Sequence, residues 1–257
     1  MVVARISKIK SMLGLSLAIA RTEFKLRNEG SYLGISWYLL NPLLSFLLLL
    51  AIFSDRLGGN IPGYPIYLLL GIVIFNFFQQ ITTEATKIIG DNNWIIKSVN
   101  FPREALIGSI VLKTLFSHIF EIALLLLFLL FFKVPIINIV FYPLILCFLS
   151  IFAFGVALIL SSLTAYLIDL NNIWAFVSRL IWLGTPIFYA FDGQHRLFFI
   201  NLFNPMYYFI SISREIIIYA RAPKPWLILG AIGYSLLFLL AGLYIFNKLK
   251  TKLAEMI

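Results

Sequence analysis

Residues 124–132 read LLLLFLLFF, and they close a largely apolar block of about 28 residues. A run of about 20 apolar residues is long enough to cross a membrane as a helix. In lipid the backbone has no water to bond, so an open segment must satisfy itself as a helix. Five further blocks follow the same pattern. The six together cover residues 34–53, 66–83, 105–132, 139–165, 173–191 and 226–246. A soluble domain of this length would alternate apolar and polar residues to leave a wet face, and these blocks do not. The composition agrees: 61% of the 257 residues are hydrophobic and 12% charged. Soluble domains carry about a quarter charged residues. The sequence therefore predicts an all-α integral membrane protein with six transmembrane helices, organised as one domain over residues 1–257.

The segments between the blocks have distinct characters. Residues 5–28 place Ile6, Ile9, Leu13, Leu17, Ala20 and Phe24 at helical spacing among six basic residues. That pattern predicts an amphipathic helix within residues 1–30, lying in the membrane interface. SDRLGGNIPGYP at 54–65 is a turn dense in Gly and Pro. The stretch 84–103 is polar, with Trp94 in its middle. Residues 192–225 are half apolar, and Asn204–Pro205 breaks them into two short helices. Arg196 and Arg214 would sit badly in lipid, so the expectation is a re-entrant pair on the outer side. Lys and Arg set orientation. The N-terminal segment, the 84–104 segment and the tail carry twelve. Arg56, Lys133, Arg196, Arg214, Arg221 and Lys224 make six on the other side. Both termini are expected in the cytoplasm, in a multi-pass cytoplasmic (inner) membrane protein.

Several function classes drop out. The formal net charge of +9 follows from cytoplasmic basic segments and calls for no nucleic acid. Cys147 is the only cysteine, so neither an intrachain disulfide nor a cysteine metal cluster is expected. There is no GxxxxGK[ST] phosphate loop and no HExxH. No paired carboxylates mark an active site, so a catalytic role is not expected, and no catalytic, cofactor or metal residue is assigned.

Polar residues inside the apolar blocks are informative because each costs several kcal/mol in lipid unless satisfied. Tyr38, Asn41 and Ser45 share one face of the first span. Asn76, Gln79, Gln80 and Thr83 share one face of the second. Trp174, Ser178, Trp182, Thr185 and Tyr189 form a mixed aromatic and hydroxyl stripe on the fifth. Such faces serve either helix packing or a polar pathway. Aromatic rings flanked by hydroxyls and amides suit sugars. Lys113, Ser117 and Glu121 recur at i, i+4 on the third span beside His118. Lys113 lies near enough to the cytoplasmic end to snorkel. Glu121 is deeper and needs a partner, for which Arg179 is one candidate.

Four blocks then resemble a known family. EGSYLGISWYLLNPLLSFLLLLAIF carries Leu33, Gly34, Trp37 and Pro42 in the order found in the first span of type-2 ABC exporter permeases of the polysaccharide-export subfamily. NNWIIKSVNFPRE resembles that family's second block, GTPIFYAFD its TPIFY block, and LFNPMYYFISISRE its NP-plus-aromatics block. The family often has Arg-Asp before the fifth span; here it is Ile168-Asp169. The resemblance is to the O-antigen and teichoic acid export transmembrane subunits.

The resemblance implies a homodimer of six-span subunits with separate ABC ATPase subunits beneath. It implies export of lipid-linked polysaccharide through a channel at the dimer interface. ATP is bound by the partner subunit, and no cofactor by this chain. Trp37, Tyr38, Asn41, Trp174, Trp182 and Tyr189 become the expected polysaccharide channel. Residues 84–103 become the coupling helix, with Asn93, Trp94, Ile95, Ile96, Lys97 and Arg103 meeting the ATPase. Asn204, Pro205, Tyr207, Tyr208 and Arg214 become an outer gate. An ABC exporter of another substrate, an ion-coupled carrier and a membrane glycosyltransferase stand as rival readings.

Overall fold

Proline and glycine set where the helices begin. The structure, a computed structural model, describes residues 2–29, 34–92, 101–164, 166–191 and 195–253. Among these the helices are α1 (Val2–Asn28), α2 (Trp37–Leu57), α3 (Tyr64–Ala85), α4 (Ile88–Asp91), α5 (Glu104–Phe131), α6 (Tyr142–Leu163), α7 (Leu170–Gly184), α8 (His195–Leu202), α9 (Pro205–Ile217) and α10 (Pro225–Leu253). No strand occurs among the described residues. Pro65, Pro143, Pro205 and Pro225 each fall in a first turn, where the N–H they lack would have had no helical partner. Gly63 turns into α3 at φ 68°, a conformation that favours glycine.

α2, α3, α5, α6 and α10 are each long and apolar enough to cross a membrane. The expected fifth span, 173–191, is built differently. α7 has 15 residues, about 22 Å at 1.5 Å per residue, short of a hydrocarbon core of about 30 Å. Thr185 is extended, with ψ 137°. The cause is Pro186, whose ring pushes the preceding residue out of the helical region. The chain nevertheless runs on beside α3. Thr86 donates to the Asn171 side chain (3.1 Å) at one end of α3. The Tyr64 and Tyr67 hydroxyls donate to the carbonyls of Phe188 (3.0 Å) and Tyr189 (2.8 Å) at the other.

α3 is the central post, and residues 66–75 are buried without a break. α6 and α10 pack closest of all. A Cβ on Gly155 would overlap the backbone of Phe238, and one on Gly242 would overlap that of Gly155. α8 and α9 break at Asn204, whose side chain caps α9 by accepting from the Met206 N–H (3.1 Å). α9 is enclosed between α3, α6 and α10, so Arg214 is buried in protein and does not line a loop.

α1 packs against the bundle. Ser16 donates to the Ala105 carbonyl (3.0 Å), Glu23 meets Lys113 (2.8 Å), and Phe24 packs edge-on against Phe116. These contacts advance together along both helices, so α1 lies lengthwise on the first half of α5. Small residues allow it, because Gly108 faces the Ser16 hydroxyl. Leu13 and Leu26 point away from this seam and remain more than half exposed.

Candidate polar groove

The polar faces of the first, second and fifth apolar blocks converge. α3 forms the floor of a groove, with α2 and α7 on either side. One part, about 600 Å³, is lined by Trp37, Tyr38, Asn41 and Ser45 from α2, by Asn76, Gln79, Gln80, Thr83 and Glu84 from α3, and by Arg27 and Glu121. A second part, about 380 Å³, is lined by Ser178, Arg179 and Trp182 of α7. Ser45, Asn76, Gln79 and Thr83 line both parts, so the two are continuous. Tyr38 is held in a stack between Phe24 (5.7 Å) and Phe120 (6.0 Å). Its hydroxyl has no hydrogen-bond partner within the described chain.

One end of the groove is framed by an ion network. Lys113 bridges Glu23 (2.8 Å) and Glu84 (2.7 Å), and Glu84 also meets Arg27 (3.1 Å). Arg27 lies 5.3 Å from the Tyr38 ring centroid, within cation–π range. Lys113 therefore does not snorkel free: it joins α1, α3 and α5. Arg27 and Glu84 were not singled out as groove residues from sequence. Glu84 lies four residues after Gln80 and eight after Asn76, and continuing that stripe would have found it.

Glu121 has a different partner from the one expected. Its carboxylate lies 2.6 Å from His118 Nδ1, and His118 Nε2 lies 2.8 Å from the Tyr142 hydroxyl. Gln80 approaches the other carboxylate oxygen at 3.4 Å. His118 is one turn away on the same helix, so the pair forms locally, whereas Arg179 stands across the groove on α7.

The expected channel residues divide. Trp37, Tyr38, Asn41 and Trp182 line the groove. Trp174 faces the other side of α7, into an apolar cavity of about 520 Å³ shared with Phe78, Phe152 and Phe238. Tyr189 folds back, its hydroxyl donating to the Gly184 carbonyl (2.8 Å). The reason is the break at Pro186: the i, i+4 stripe ends with the helix. Of the expected coupling residues, Asn93, Trp94, Ile95, Ile96 and Lys97 lie outside the described residues. Arg103 lies at the N-terminus of α5.

The expected gate residues line neither part of this groove. Asn204 donates to the Thr185 hydroxyl (2.7 Å) and follows α8, with Pro205 opening α9. Tyr207 and Tyr208 pack against Trp226. Arg214 donates to the carbonyls of Pro186 (2.6 Å), Ile187 (2.8 Å) and Tyr67 (3.0 Å), with its guanidinium over the Tyr67 ring.

The sequence has relatives. An O-antigen export system permease protein, RfbA, from Klebsiella pneumoniae is 30% identical over 258 residues, covering 97% of this chain and 99% of its own. A protein of the same name from Myxococcus xanthus is 25% identical over 249 residues, covering 95% of each chain. The profile of the ABC-2 type transporter family matches residues 15–218, a stretch that contains α2, α3, α5 and α7 in full. This multi-pass membrane chain belongs to the ABC-2 type transporter family.

Proposed function

We propose that this chain is the membrane subunit of an ATP-driven exporter that carries lipid-linked, O-antigen-like polysaccharide across the cytoplasmic membrane. The observation that carries the reading is the groove. Ser45, Asn76, Gln79 and Thr83 stand on helices of membrane-crossing length, and polar groups there cost several kcal/mol if they face lipid. The groove is open on one side, between α2 and α7. Closing it with a second copy of the chain makes a water-filled path walled by Trp37, Tyr38 and Trp182. Flat rings with amides and hydroxyls between them suit a chain of sugars without demanding one sugar. The names of the relatives support the same substrate.

The remaining parts follow from this reading. α7 with residues 185–191 completes a sixth crossing, since it covers the length of α3. Both termini then lie on one side, the cytoplasm. Removing the buried Arg214 from the outer loop strengthens the asymmetry of basic residues. The 84–103 segment joins two crossings on that side and docks on a separate ATPase, with Trp94, Ile95 and Ile96 as the apolar anchor. That ATPase binds the ATP, and this chain binds no cofactor. The 192–225 segment closes the outer end.

Two measurements test it. A photo-reactive residue at position 94, in the chain expressed with its ATPase, is expected to yield an ATPase adduct. The same probe at Lys133 is expected to yield none. Replacing Trp37, Tyr38 and Trp182 together by leucine is expected to lower surface polymer by about tenfold or more, a rate loss of roughly 1.4 kcal/mol, with the ATPase still co-purifying. Polymer at the normal level in that variant would remove the pathway.

A further inference from the structure

Among the described residues, Arg179 is the one groove cation without a counter-ion. Arg27 at the other end is paired with Glu84. Arg179 lines the second part of the groove with Ser45, Asn76, Gln79, Ser178 and Trp182. Among the described residues it has no carboxylate and no hydrogen-bond partner. A guanidinium within the apolar depth of a membrane protein is retained where it faces water, a partner or a ligand.

The chain's own acids do not supply that partner. Of its eleven acidic residues, Glu121 alone lies well inside an apolar block. One Glu121 oxygen is committed to His118, and Gln80 approaches the other. A second copy across the groove brings the same inventory, so it adds no free carboxylate at this depth. The neighbours are instead amides, hydroxyls and one indole, which bond sugar hydroxyls and stack on sugar faces but do not neutralise charge. The guanidinium fork matches two oxygens of a phosphate or carboxylate at once.

We propose that Arg179 forms an oxyanion subsite in the groove, which takes a phosphate or carboxylate carried by the translocated saccharide. Trp182 stacks beside that group, and Asn76 and Gln79 bond the adjoining hydroxyls. The proposal rests on the export reading and adds the charge of the cargo to it. The oxyanion has two possible sources, the phosphate of the lipid carrier or an acidic sugar in the polymer.

The full-length chain in nanodiscs of neutral lipid is titrated with three probes: farnesyl pyrophosphate, oligoglucuronate and dextran. At least one anionic probe is expected to bind more tightly than dextran. Arg179→Gln is expected to weaken that binding about tenfold, the range of a charge-assisted hydrogen bond, with dextran binding unchanged. Unchanged dextran binding also shows that the variant is folded. Arg179→Lys, which keeps the charge without the fork, is expected to fall between. A loss with farnesyl pyrophosphate assigns the carrier phosphate, and a loss with oligoglucuronate assigns an acidic sugar. The subsite is overturned if neither anionic probe binds more tightly than dextran. It is equally overturned if Arg179→Gln leaves both unchanged, or if it weakens all three alike. Export is scored separately in cells: absence of surface polymer from the wild-type chain with its ATPase brings down the export reading, and the probe titrations still decide the subsite.

Discussion

Arg214 shows how a single side chain answers a problem set elsewhere in the chain. Pro186 ends α7 early, and the carbonyls of Pro186 and Ile187 are left without helical partners. Buried backbone groups need partners, and Arg214 supplies them while also bonding the Tyr67 carbonyl on α3. Gly71 leaves the room: a Cβ there would come within 2.8 Å of the guanidinium. Arg214→Gln is expected to cost about 3 kcal/mol, because it strands the Pro186 and Ile187 carbonyls. Thermal unfolding in detergent reads this as a fall of several degrees, and an unchanged Tm would show that the carbonyls find other donors. The family resemblance implied an outer gate at Arg214. Its burial depends on α3 and the 185–188 segment meeting around it, and no local pattern records that. Glu121 is similar. Its need for a partner was legible, but the choice of His118 over Arg179 came from one helical turn against the width of a groove.

Helices α1 and α7 were legible as helices but not as neighbours. α1 has an apolar face by spacing, yet the surface it docks with is Ser16, Ala20 and Phe24, which is smaller and more polar than the expected face. Leu13, on that expected face, stays open. Lys113 holds this seam by joining Glu23 and Glu84. Lys113→Met leaves two partly buried carboxylates beside each other and is expected to cost about 1–2 kcal/mol. The visible effect belongs to the element: α1 should undock from α5, and limited proteolysis should cleave it faster with the remaining helices intact. A cleavage rate equal to the wild type would mean that Ser16 and Phe24 hold α1 without the ions. For α7, the stripe of Trp174, Ser178, Trp182, Thr185 and Tyr189 assumed a helix to residue 191. The Thr185–Pro186 pair was the signal against it, and it takes Tyr189 out of the stripe.

Over the whole molecule, α3 is the post that the other parts lean on, and α6, which packs on it, is itself locked closely to α10. Gly155 and Gly242 let those two backbones meet, as small residues do between membrane helices. Gly155→Leu is expected to force the helices apart at a cost of about 3 kcal/mol. The readout is a lower folded yield and a lower Tm, and a normal yield would mean that the bundle repacks around the new side chain. The groove lies on the far side of α3 from this pair, so the pair fixes its floor from behind while its open side stays free.

The sequence by itself determined the material of this protein: apolar blocks that must become helices in lipid, the prolines and glycines that start and stop them, and the polar stripe on each. These are local properties, set by the hydrogen-bonding demand of the backbone and by side-chain spacing along one helix. Only the tertiary structure decided which stripes face each other. It put α2, α3 and α7 around one groove, turned Trp174 away, drew Arg214 inward and left Arg179 without a counter-ion among the described residues. Those outcomes depend on helices distant in sequence meeting in space, and the packing energy that chooses among arrangements is shared across all of them.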